Sequence, residues 1–127
     1  MKIKINVIKD FNDMPYGRYR FDAPGCEDTS GEVFREEYLK PIILDKTLEE
    51  LTIDFSDDSI YGRSFLSEAI GGLIRKSYIT KEELRKKVKF IYPTDTELVE
   101  KLVELSIEEA KYNSEEPGYE PEPKSNV

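Results

Sequence analysis

The residues best suited to chemistry gather where Leu51-Thr52-Ile53-Asp54-Phe55 gives way to an apolar-periodic run. Asp54, Asp57, Asp58, Ser59 and Ser64 lie close together there, and Glu68 follows within the run. Paired carboxylates carry out acid–base chemistry or hold Mg²⁺, but this spacing fixes no two of them at a useful distance. A phosphate on Ser64 would meet the free N–H groups and the positive dipole end of a starting helix. The plainer reading, which the residues alone favour, makes Ser64 an N-cap and the aspartates solvated turn residues. Arg18, Arg20, Arg35 and Arg63 have the forked donors that clamp an anion. Structural ion pairs with Asp22, Asp54 or Glu68 are the commoner use of such arginines. A basic run, Arg75, Lys76, Lys81, Arg85, Lys86, Lys87 and Lys89, suits an acidic partner, a resting acidic tail or a solvated helix face. The solvated face is the simplest of the three.

Composition narrows the chemistry further. The chain has 127 residues, no histidine and one cysteine, which excludes most zinc and copper sites and any Ser-His or Cys-His nucleophile. Cys26 precedes acidic residues that would raise its pKa, so it reads as a bystander. A lone cysteine makes no intrachain disulfide and suits a reducing, cytoplasmic setting. The net charge of −8 argues against general nucleic-acid binding and against anionic membranes. The amino terminus alternates Lys and Ile rather than carrying an apolar signal run, and no stretch is apolar enough to span a bilayer. Neither a cofactor nor a metal is expected.

The elements that must position these residues can be read in order. Lys2 to Ile8 alternates and then closes on an apolar pair, as a strand with one wet face does. Asn12 to Gly17 is turn chemistry. Arg18-Tyr19-Arg20-Phe21 reads as a second strand, hairpinned to the first, and Asp22 to Thr29 as a loop. Thr29 with Glu32 fits a capping box, with Ser30 as the alternative cap. The helix that follows carries Val33, Phe34, Tyr38, Leu39, Ile42 and Ile43, and Pro41 predicts a kink or an end near Lys40. Leu51 to Phe55 is the best central strand. Phe65, Leu66, Ala69, Ile70, Leu73 and Ile74 share one face of the next helix. Gly71-Gly72 inside it costs about 1 kcal/mol per glycine against alanine, so a close backbone approach, packing onto the sheet, is expected. Thr80 to Glu83 caps a short helix ending near Lys86. Val88 to Tyr92 is a strand, Pro93 stops it, and a capping box at Thr94 to Glu97 opens a last helix to Lys111 or Tyr112. Residues 113–127, rich in Glu and Pro, are expected to be a disordered tail.

Three segments together resemble the STAS-like domain family of unknown function. They are Gly17-Arg18-Tyr19-Arg20, then Ser30-Gly31-Glu32-Val33-Phe34-Arg35 through Leu39 and Pro41, then Gly62-Arg63-Ser64-Phe65-Leu66 through Glu68, Gly71, Gly72 and Leu73. The chain has Arg63 where the family tends to have serine, and Ile70 where Phe is usual. The elements, in the order β-β-α-β-α-(α)-β-α, read as one α/β domain over 1–112 with a mixed sheet, and the resemblance implies a STAS-like α/β domain of about four strands with helices packed against it. In STAS domains that antagonise anti-sigma factors, a serine opening the helix after the central strand is phosphorylated by a histidine-kinase-like ATPase, and Ser64 falls at the matching place. The resemblance therefore implies a non-enzymatic regulatory module that binds such a partner.

The partner-facing set would be Asp57, Asp58, Ser59, Tyr61, Arg63, Ser64, Ser67 and Glu68. Gly17, Arg18, Arg20, Ser30, Gly31, Phe34, Arg35, Gly71 and Gly72 would be structural. Two other readings stay open. One is a small acidic inhibitor, of phage or anti-defence type, that blocks a basic nucleic-acid-handling protein. The other is a nucleotide-binding module using the Asp54–Ser64 loop. The edge strand Lys2–Ile8 also offers pairing with a second copy of the chain.

Overall fold

The computed structural model describes residues 1–58 and 60–114. Three strands, β1 (Lys2–Asn6), β2 (Glu50–Asp54) and β3 (Val88–Ile91), form one sheet in the order β1-β2-β3. Both pairings are parallel, with Lys2 opposite Glu50 and Leu51 opposite Val88. β2 is thus central, as its β-rich alternation predicts. Parallel neighbours need crossovers, and helices supply them.

Helix α1 (Cys26–Thr29) is short. Helix α2 runs over residues 31–43 as Gly31–Val33, a wide π segment Phe34–Leu39, and Lys40–Ile43. Helix α3 runs over residues 63–75 as Arg63–Leu66, a second π segment Ser67–Gly71, and Gly72–Arg75. Helix α4 is Lys81–Lys87 and α5 is Leu98–Glu109. One core joins Ile5, Leu51, Ile53 and Phe55 from the strands to Phe34, Leu39, Phe65, Ile70, Leu73, Val103 and Ile107 from the helices.

Among the described residues the sheet is parallel and three-stranded, not mixed and four-stranded. Arg18 to Phe21 forms no strand, because the backbone around it is engaged elsewhere. Tyr16 N–H donates to the Thr29 carbonyl, while Gly31 and Glu32 N–H donate to the carbonyls of Gly17 and Arg18. The Asp22 carboxylate accepts from both Arg18 and Tyr19 N–H, at 2.9 Å each. The segment is therefore a cap over the start of α2. β1 also stops at Asn6 rather than continuing to Ile8. The Asn6 side chain accepts from Lys9 N–H, and Val7–Phe11 closes into a wide turn that seats Phe11 on Phe34 at 4.8 Å.

Several helix ends differ from expectation for local reasons. Ser30, not Thr29, caps α2 by accepting from Val33 N–H, and the Glu32 carboxylate goes to Arg20 N–H instead. Pro41 does not end α2, which continues to Ile43. The turn before it is already widened, Lys40 N–H reaching back to the Arg35 carbonyl, so the missing donor and the ring are accommodated. Thr80 caps α4 as read, accepting from Glu83 N–H. α5 begins later than its capping box suggests, at Leu98, whose N–H goes to Thr96 Oγ1, and it ends at Glu109. Of the predicted tail, Ser114 is tied down, its N–H donating to the Arg75 carbonyl and its hydroxyl to the Lys111 carbonyl. Residues 115–127 lie outside the described residues.

Candidate functional site

The two halves of α3 face different surroundings. Its carboxyl half surrounds Glu68, which is 4 % exposed. Three arginines converge on that carboxylate. Arg35 Nη1 donates to Oε2 at 2.5 Å, Arg18 Nη1 to Oε1 at 3.2 Å and Arg75 Nη2 to Oε1 at 3.4 Å. Their other donors go to backbone and neighbours. Arg35 reaches the Glu68 carbonyl and the Glu36 carboxylate, Arg75 the Ser67 carbonyl, and Arg18 the Ser67 hydroxyl.

This lattice explains the π segment. Guanidinium groups occupy the Ser67 and Glu68 carbonyls, and insertion into the backbone ladder is a recognised cause of a widened turn. It also explains the paired glycines, and corrects the expectation that they pack on the sheet. A Cβ on Gly72 would strike the Arg35 guanidinium. One on Gly71 would lie 2.8 Å from Arg75 Nη1 and 3.0 Å from the Ser106 carbonyl of α5. At Gly31, a Cβ would strike the Phe65 carbonyl, so α2 and α3 touch backbone to backbone there.

The electrostatics of the lattice are uneven. Burial lowers the Arg35 pKa, but Glu68 and Glu36 outweigh it, and the net shift is upward. Burial also lowers that of Arg75, and repulsion from Arg18 and Arg35 leaves it below its ordinary value despite Glu68. Burial pushes the Glu36 carboxyl up, yet the Arg35 and Tyr78 hydrogen bonds hold it below the usual range. Glu68, Ser67 and Arg75 are thus occupied internally. Glu68 leaves the partner-facing set, and Arg75 leaves the solvated basic run. Within the rest of that run, Arg85 pairs with Glu104 at 3.0 Å, Lys81 donates to the Glu108 carbonyl, Lys86 and Lys87 pair with Glu83, and Lys76 and Lys89 are exposed.

The amino half of α3 opens onto solvent. Gly62 is the N-cap, with no side-chain bond, and Ser64 lies inside the first turn, so its predicted capping role is not observed. Ser64 is exposed instead. Arg63 pairs with Glu109 at 3.2 Å, tying the start of α3 to the end of α5. Beside them runs a groove of about 780 Å³. One wall is the segment after β1, with Met14, Pro15 and Tyr16; the other is the segment after β2, with Ile60, Arg63 and Ser64. Phe65 lies at its base, almost wholly buried. Asp13 and Asp58 stand on the two walls. Ile60 is 81 % exposed, Met14 73 % and Tyr16 57 %, which is unusual clustering for large apolar side chains on a small acidic protein.

The remaining predicted residues separate from this groove. Asp57 is held by Asn6 Nδ2 at 3.0 Å and by Lys9. Asp54 accepts from Ser56 N–H at 2.8 Å. Burial raises its pKa, but the Ser56 bonds outweigh burial and leave it lowered. Tyr61 is buried against Phe55, their ring centroids 5.0 Å apart. Its hydroxyl finds no hydrogen-bond partner among the described residues, and burial with the charges of Asp58, Asp57 and Asp54 raises its pKa. Tyr61 is therefore a buried residue rather than part of the exposed groove surface. Ser59 lies outside the described residues. Cys26 is buried and free. Among the described residues, no group of His, Cys, Asp or Glu is arranged to hold a metal ion, and no helix is long and apolar enough to cross a membrane. Sequence reasoning missed Met14, Pro15, Tyr16, Pro24 and Ile60. The available signal was apolar residues inside turn-forming stretches.

A parallel sheet whose carboxyl-end loops build an open groove defines an α/β domain with its candidate site at the usual end of the strands. The chain belongs to the family of the STAS-like domain of unknown function, whose model matches residues 30–97. That span holds α2, β2, α3, α4 and β3, and so Glu68, Arg35 and Arg75 of the lattice and one groove wall. No curated protein and no solved structure matches the chain.

Proposed function

We propose that this protein is a non-enzymatic interaction module that docks a protein partner in the groove at the start of α3, with Ser64 as a phosphate-sensitive position. The observation that carries the reading is the exposed apolar trio Met14, Tyr16 and Ile60, set beside an accessible Ser64 hydroxyl. A phosphate there would lie at the N-terminal turn of a helix 13 residues long (63–75), next to Arg63, which an exposed and weak ion pair holds. Adding about two negative charges to an apolar docking wall changes what that wall accepts. The resemblance to STAS domains that antagonise anti-sigma factors motivates a kinase-like ATPase as the partner class.

The test compares the parent, Ser64→Ala and Ser64→Asp chains for binding to a candidate ATPase, with mass spectrometry of Ser64 after incubation with ATP. Phosphate on Ser64, and at least a tenfold affinity change in Ser64→Asp alone, is the expected result. An unmodified Ser64 with equal binding by all three chains would overturn the switch.

A further inference from the structure

The charge of the groove points to what fills it. Its apolar surface has Asp13 on one wall and Asp58 on the other. Asp58 Oδ1 accepts from Ile60 N–H at 3.0 Å, which holds the carboxylate beside the most exposed apolar side chain of the groove. Arg63 is the single basic residue among the described lining residues, and it pairs with Glu109 at the surface, so the acidic groups there outnumber the basic one. The whole chain carries −8. An apolar trough with acidic rims in an acidic protein repels an acidic occupant and attracts a basic one. We infer that the groove receives an amphipathic segment of a partner protein, with apolar side chains inserted between Met14, Tyr16 and Ile60 and Lys or Arg residues against Asp13 and Asp58.

This inference rests on the docking reading and adds the chemistry of the partner. The same charges disfavour the chain's own residues 115–127, which carry four Glu and one Lys. They equally disfavour a second copy of this acidic chain.

The probe is a fluorescein-labelled synthetic twelve-residue peptide with Leu at helical i, i+3, i+4 and i+7 spacing and Lys at the polar positions. Two controls keep the Leu pattern and carry Glu or Ser in place of Lys. Anisotropy titrations use the full chain, the Ile60→Asp variant and the Asp13→Asn/Asp58→Asn double variant. The Lys peptide is expected to bind the parent at least tenfold more tightly than the Glu peptide. Ile60→Asp should weaken it at least tenfold. That direction is diagnostic, because the added charge would strengthen any non-specific attraction of a basic peptide. The double variant should lose severalfold affinity and part of the salt dependence. Thermal unfolding confirms that the variants remain folded, as expected for exposed positions.

Equal binding of the Glu or Ser peptide, still sensitive to Ile60→Asp, overturns the basic-partner inference and leaves the docking reading standing. Indifference of the Lys peptide to Ile60→Asp overturns the inference through non-specific charge attraction. Displacement of the Lys peptide by a synthetic 115–127 peptide assigns the groove to the chain's own tail. An Ile60-dependent dimer in light scattering assigns it to a second copy, and either result overturns the inference. The Ser64 experiment fails or succeeds independently of all these outcomes.

Discussion

The two ends of α3 invert the usual distribution of side chains. At its carboxyl end, Glu68, Arg35, Arg18 and Arg75 are buried. At its amino end, Met14, Tyr16 and Ile60 are exposed around the groove. The buried charges are matched donor to acceptor, as burial requires. The exposed apolar groups have no partner of that kind among the described residues. Side chains typed for chemistry therefore serve architecture here, and the surface open to binding is built from side chains with no chemistry of their own.

The strongest way to break this comparison is at Glu68. Glu68→Gln removes the negative charge on which three buried guanidinium groups converge. It should cost about 3–5 kcal/mol, as for one partner removed from a buried ionic group. Urea denaturation reads this as a large fall in midpoint, and a loss under about 1 kcal/mol would show the lattice to be incidental. Gly31→Ala should cost about 1–3 kcal/mol, because its Cβ meets the Phe65 backbone rather than a side chain able to move.

Both losses concern residues legible in the sequence, since Gly31, Arg35, Glu68 and the glycine pair belong to the motifs that carry the family resemblance. Their types were legible and their geometry was not. The seven-residue spacing of Glu68 and Arg75 marks one helical face, but nothing in the local pattern shows that Arg35 reaches Glu68 across from α2. The central strand, α2, α3 and the Thr80 cap follow from periodicity and capping chemistry. The false second strand at Arg18 arose because alternation over four residues cannot show that Thr29, Gly31 and Glu32 engage the surrounding backbone. The groove was invisible for a similar reason. Its walls come from loops far apart in sequence, and no local pattern joins Met14 to Ile60.

Smaller effects sharpen the boundary between the two regions. Glu36 is held below its ordinary pKa, so its contribution is fully present above the unfolded-state value and is lost as pH falls through the folded one. Stability measured against pH should therefore decline on the acid side, and Glu36→Gln should flatten part of that decline. Tyr61→Phe removes a buried hydroxyl that has no partner among the described residues, and should raise stability by up to about 1 kcal/mol. A destabilised Phe variant would mean that the hydroxyl is satisfied in solution. Ile60→Ser should change stability by no more than about 0.5 kcal/mol, as expected at an exposed site, while weakening the Lys peptide.

The parallel register of the sheet has a consequence for synthesis. Asn6 and Asp54, joined at the end of the β1–β2 pair, are 48 residues apart. At about 5–20 residues per second, the first strand emerges from the ribosome roughly 2–10 s before its partner exists. During that interval Ile3 and Ile5 face water on a strand with two free edges. Lys2 and Lys4, which alternate with them, are the residues that discourage pairing with a neighbouring nascent chain.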